Sequence, residues 1–271
     1  MSILSVCGEC GLPVKASILA LVDPHADELQ PIEHPRLIQI GVLLWTFAAF
    51  CAAVLNWVIR ACEFSERFFG ISADVVPLSR FYIGSLIASG LGAIAIIRPH
   101  AGLDRRNVRR AILGVLCYAP LIAAAWYMFF RIDPYEYYVY SSTTEMPMLR
   151  IALRLVFGIS LIAMVLLLHS NALILAHRSV LVRSGRVDRQ PLRALAAAAG
   201  IALIGDLTLL IQTQFSGPIT NLLYTVGVIL VAAGSFLLTV ALWGVTLDAW
   251  RIRRVIMAPG IGLTDIFDDR T

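Results

Sequence analysis

Two groups of residues in this chain have types and spacings that could do chemistry. The first is Cys7-Gly8-Glu9-Cys10-Gly11, two thiols three positions apart with glycine after the second. Thiolates at that spacing can grip one zinc ion, and the glycine lets backbone amides turn toward the sulfurs. A structural zinc takes four ligands, commonly from two such knuckles. Cys51, Cys62 and Cys117 fall in or beside apolar stretches, and His25 and His34 are within chain reach. Zinc held by Cys7 and Cys10, and a plain pair of reduced thiols on a cytoplasmic segment, both stay open.

The second group is Asp206, His169 and Asn171, polar residues inside long apolar runs. An acid in such a run is costly and by default functional. Asp206 lies 13 residues beyond Arg193, or roughly 20 Å along a helix. His169 is about 12 Å in from the end of its own run by the same rise. The depths allow a relayed contact, with Thr208 and Gln212 extending a polar seam. A proton or cation site is one reading; a hydrogen bond between helices, with Asp206 protonated in apolar surroundings, is the other.

The elements that must position these groups follow from composition. Hydrophobic residues make up 59% of the 271, charged residues 15%, and mean hydropathy is +0.80. A soluble chain usually carries about 25% charged residues, and one core cannot bury so many uninterrupted apolar runs. Segments of about 20 apolar residues cross a hydrocarbon layer as helices. The expected class is therefore an all-α, polytopic membrane bundle. Six transmembrane helices are expected, over about 37–59, 78–97, 111–130, 151–176, 192–211 and 219–243, the last continuing toward Trp250. Residues 1–36 form a cytoplasmic segment carrying the C-x-x-C-G knuckle, 37–250 the spanning domain and 251–271 a cytoplasmic tail.

Local features refine this reading. Residues 60–77 read either as a short amphipathic helix in the headgroups or as a loop. Gly84, Ala88 and Gly92, and likewise Ser85, Ser89 and Ala93, recur at four-residue spacing, which lets helices approach closely. Pro120 predicts a kink in the third span. Tyr135, Tyr137, Tyr138 and Tyr140 read as an interfacial belt, with a ligand rim as the other reading. Arg150 and Arg154, one turn apart at the outer end of the fourth span, can snorkel to the headgroups. The alanine-rich start of the fifth span argues for burial among helices. Trp57 reads as an interface marker.

Of 22 cations, 16 fall on the side that holds both termini and six on the other. The positive-inside rule places both termini in the cytoplasm. The cations flank apolar runs, so the net charge of +4 is a membrane signal; the partner it implies is a lipid bilayer, and nucleic acid is not implied. Lys15 is the only lysine, which excludes an intramembrane retinal-type Schiff base. No cleavable signal peptide is expected, and no inverted repeat relates the two halves.

Enzyme signatures are absent: there is no H-E-x-x-H, G-x-S-x-G or Walker loop. Gly205-Asp206 is similar to the end of the G-x-G-D motif of intramembrane aspartyl proteases, but Leu203 stands where the first glycine belongs and no second intramembrane acid is evident. His169 has no second mid-membrane histidine with which to hold a haem. Cys7 to Pro13 resembles the second half of the zinc ribbons at the N-termini of many bacterial multi-span membrane proteins. That resemblance implies zinc as cofactor and the bacterial cytoplasmic (inner) membrane as location; the first knuckle is missing from the chain. The function expected is non-enzymatic, an interaction or assembly protein whose partner is another protein or a second copy of the chain. The alternative is a small-solute or proton-coupled transporter using Asp206, with His169 as relay.

Overall fold

The computed structural model describes residues 32–70, 74–100, 102–133, 148–182 and 191–256. Cys7, Cys10, the tyrosines at 135–140 and residues 183–190 of the arginine-rich 178–193 loop lie outside them. The described secondary structure is helical throughout: α1 (Pro35–Phe69), α2 (Val76–Ile94), α3 (Arg105–Leu116), α4 (Tyr118–Tyr127), α5 (Met148–Val182), α6 (Pro191–Gln212) and α7 (Pro218–Ile256). A π-turn at Met128–Ile132 extends α4.

Five of these stretches are long and apolar enough to cross a membrane: Pro35–Cys62, Arg105–Ile132, Met148–Leu175, Leu192–Gln212 and Pro218–Arg253. Their outward faces carry large apolar side chains in the open, such as Ile40, Leu222 and Phe236, each at least 60% exposed. That pattern suits lipid as the outer solvent. The 19-residue α2 is less apolar, because Ser79, Arg80, Ser85, Ser89 and three glycines interrupt it. It is nonetheless about 28 Å long, close to a hydrocarbon layer.

Successive passes run antiparallel. Gly92 of α2 meets Trp45 of α1, Gly90 meets the Tyr118 ring of α4, Gly114 of α3 meets Leu168 of α5, and Gly158 of α5 meets Leu203 of α6. Gly205 of α6 meets Val231 of α7. Phe50 packs on Trp243, their centroids 5.2 Å apart, so α7 returns to α1 and closes a ring. The start of α1 and the finish of α7 lie at the same end, the basic end. The opposite end carries Arg60, Asp133, Arg150 and Asp206.

Several elements differ from the sequence reading. Residues 60–69 are neither a separate amphipathic helix nor a loop; α1 continues through them to Phe69, and Gly70 then turns at φ +67°. The apolar run ends near Ile59, but nothing there breaks a helix. The kink near Pro120 is present as a break at Cys117 between α3 and α4. Proline has no N–H for the Leu116 carbonyl, so the ladder is interrupted one turn before it. The turn at 213–217 closes on Gly217 at φ +84°, a conformation glycine adopts without steric cost.

A polar knot ties three passes together. Ser89 Oγ donates to the Trp45 carbonyl at 2.8 Å and lies 2.8 Å from the Tyr118 hydroxyl. Trp45 Nε1 donates to that hydroxyl at 3.0 Å. The indole of Trp57 donates to Thr239 Oγ1 of α7 at 3.0 Å. This bond and that of Thr246 Oγ1 to the Thr46 carbonyl at 3.2 Å fasten the closure of the ring.

Candidate functional site

The ring encloses a cavity of about 510 Å³ to which all six passes contribute. Its walls change character along its length. Leu86, Leu121, Leu161, Val165, Leu195 and Ala199 give an apolar body. Near the basic end stand Trp45, Ser89 and Tyr118 of the polar knot. Near the other end stand Asn56, Arg60, Arg150, Arg154 and Asp206.

Asp206 sits six residues before the end of α6, and Arg154 six residues after the start of α5. The antiparallel contact at Gly158 and Leu203 fixes the register that brings them together. Arg154 Nη2 lies 2.6 Å from Asp206 Oδ1, with side chains 21% and 9% exposed. One turn earlier, Arg150 Nε lies 3.0 Å from Asp133 Oδ1. Asp133 follows directly on the π-turn, so the end of the third pass and the start of the fourth are bound by charge. Arg60 reaches in from α1 and places its guanidinium 5.8 Å from the centroid of the Phe129 ring, a cation–π arrangement. Tyr82 meets the same ring edge-on at 5.0 Å.

Arg150 and Arg154 therefore do not extend to the headgroups as expected. They turn inward, because a carboxylate at hydrogen-bond distance satisfies a guanidinium better than apolar surroundings do. Arg60 also turns inward. Half of the six cations on the less basic side thus serve the interior, which sharpens the charge contrast between the two faces.

The other sequence candidates lie elsewhere. Asn171, fully buried on α5, donates from Nδ2 to the carbonyls of Ile96 and Ile97 at 2.9 and 3.0 Å. These carbonyls follow the end of α2, where helical partners run out, so Asn171 acts as an interhelical cap near the basic end. His169 is 15 residues beyond Arg154 on α5, about 22 Å along the axis. Thr208 donates to its own helix at the Ile204 carbonyl, 2.8 Å away, and Gln212 is buried at the end of α6. The three polar candidates thus occupy two levels of the bundle, with Asp206 at the far one. A further buried acid, Asp248, lies 3.3 Å from Arg251 one turn on; it falls past the 219–243 span, on the continuation of that helix toward Trp250.

Among the described residues no group of three or more histidine, cysteine or acidic side chains is placed to hold a metal. Cys7 and Cys10 lie outside them. No family model matches the chain, and no curated protein or solved structure does. What the arrangement can do follows from its chemistry. A deep, mostly apolar cavity of a few hundred Å³ with a few convergent polar groups is the usual form of a small-molecule site, and guanidiniums in a low-dielectric setting are anion-recognition groups.

Proposed function

We propose that this chain is a six-span membrane protein that binds a small molecule inside its helix ring, as a binding or carrier protein. The observation that carries the reading is the interior cavity with Arg60, Arg150, Arg154 and Asp206 gathered at one end. Intramembrane ionisable residues facing a cavity mark ligand or ion pathways by default. The proposal takes up the solute-handling alternative of the sequence reading, with Arg154 in place of His169 as the partner of Asp206. The interaction reading rests on Cys7 and Cys10, which lie outside the described residues.

In this reading α2 crosses alongside the five more apolar passes, and the basic end faces the cytoplasm. The arginines at 98–110 and 251–253 cluster at that end, which supports the orientation. Reporter fusions after Leu103 and after Phe215 are expected to report cytoplasmic and external locations respectively. The same location for both would end the six-span account.

The binding claim is tested by native mass spectrometry of protein released from its own membranes. Ala53 lines the cavity, and Ala53→Phe fills part of it. Wild type is expected to carry a small-molecule adduct that the variant lacks. Bare wild-type protein, or an adduct equally present on Ala53→Phe, would overturn the reading.

A further inference from the structure

The shape and polarity of the cavity narrow the ligand class, an inference that rests on the binding role just proposed. On α1 the lining runs from Trp45 to Arg60, 15 residues or about 22 Å of helix. Spread over that length, a volume of about 510 Å³ gives a core about 5 Å wide and, with a water radius of about 1.4 Å added on each side, a bore of about 8 Å, narrower than the 10–12 Å diameter of a helix with its side chains. The space is longer than it is wide: it suits an extended alkyl chain and excludes a peptide helix.

The two ends are chemically unequal. The walls between them are apolar, built from residues such as Leu86, Leu121, Leu161 and Val165. At the far end, Arg60, Arg150 and Arg154 come from two different helices and face one volume together with Asp206. With Asp133, which lies 3.0 Å from Arg150, the described residues there hold three guanidiniums and two carboxylates. The planar fork of a guanidinium matches carboxylate and phosphate geometry, and each guanidinium brings five N–H donors. A cationic head would meet a guanidinium majority; a neutral head would forgo charge-assisted bonds.

We infer that the cavity holds a single-chain anionic amphiphile, its alkyl chain along the apolar body and its carboxylate or phosphate head against Arg60, Arg150 and Arg154. The head binds beside the Arg154–Asp206 pair, so the apolar walls hold the chain and the guanidiniums select charge. Fatty acids and phosphate-headed single-chain lipids share this chemistry, and the ranking of the two anionic probes below identifies the source.

The test uses the full chain in nanodiscs of neutral phosphatidylcholine. Hexadecanoate, hexadecyl phosphate, hexadecanol and hexadecyltrimethylammonium are titrated separately and read by native mass spectrometry. At least one anion is expected to bind about tenfold to a hundredfold more tightly than hexadecanol, the worth of charge-assisted hydrogen bonds, and the ammonium most weakly. Arg60→Gln is expected to shrink the gap between anion and alcohol. Arg60→Lys, which keeps the charge and loses the fork, provides a second variant should the first fail to fold. Equal binding of hexadecanol or the ammonium would overturn the anion assignment and leave the cavity role standing. No binding of any probe, with the native adduct still present, would overturn the single-chain assignment. Probe binding undiminished by Ala53→Phe would overturn this inference and the binding role together.

Discussion

Replacing Asp206 with leucine while Arg154 stays is expected to cost the bundle about 3–5 kcal/mol, the usual penalty for stranding one member of a buried ion pair. The two side chains meet at 2.6 Å, and the acid is almost wholly enclosed. The guanidinium keeps its charge at any accessible pH, so it cannot escape the penalty by losing a proton. Asp206→Asn should cost less, because the amide oxygen still accepts. The double variant Arg154→Met with Asp206→Leu should recover most of the loss, since well-packed apolar replacements of buried pairs are commonly near neutral. Thermal unfolding in detergent of wild type, Asp206→Leu, Arg154→Met and the double variant gives the coupling directly. A cost below about 1 kcal/mol for Asp206→Leu would place the pair in the class of exposed, solvated ion pairs.

Gly92→Leu is expected to be the most damaging single change in α2, with Gly84→Leu nearly silent. The two glycines belong to the same small-residue row by sequence, yet their surroundings differ. A Cβ on Gly92 would come within 2.6 Å of the Gly41 carbonyl and 2.9 Å of the Trp45 Cα, while one on Gly84 meets nothing within 4 Å. Backbone cannot rotate aside as a side chain can, so the α1–α2 crossing must open. Overpacking of this kind costs about 1–3 kcal/mol and occasionally more, and leucine at Gly92 belongs at the top of that range. Gly84→Leu, facing outward, should stay within about 0.5 kcal/mol. Unfolding midpoints of the two variants that fall together would show that the crossing is looser than its backbone contacts indicate. The same geometry recurs between α6 and α7, where a Cβ on Gly205 would come within 2.8 Å of the Gly227 carbonyl.

These two cases show what could be read from residues alone. The apolar runs announce their helices, because in lipid a backbone must satisfy itself within each segment. The ends were less legible: α1 runs ten residues past Ile59 and α7 reaches Ile256, since a helix need not stop where the membrane does. Asp206 stood out as a lone acid in an apolar run. Its partner did not, because an arginine one turn inside a span reads equally well as reaching outward, and only the register set by Gly158 and Leu203 decides. His169 and Asn171 looked alike in sequence, two polar residues two positions apart. Only Asn171 faces the end of α2, where carbonyls lacking helical partners await a donor. The row of Gly84 and Gly92 gave the right helix face only in part, because four-residue spacing drifts around a 3.6-residue helix and Ser89 with Gly92 makes the contact instead.

The closure of α7 onto α1 bears on how the chain is made. Ribosomes deliver the passes one after another, and the bond between Trp57 and Thr239 joins residues 182 positions apart. Until the last 39-residue helix arrives, the earlier passes form an open horseshoe with its mouth toward lipid. Arg154 precedes Asp206 by one helix, and it lies only six residues into α5, where a guanidinium costs less than the roughly 2.5–3.5 kcal/mol it costs at a helix centre. Nascent molecules therefore pass through an interval in which their interior is accessible through that open seam.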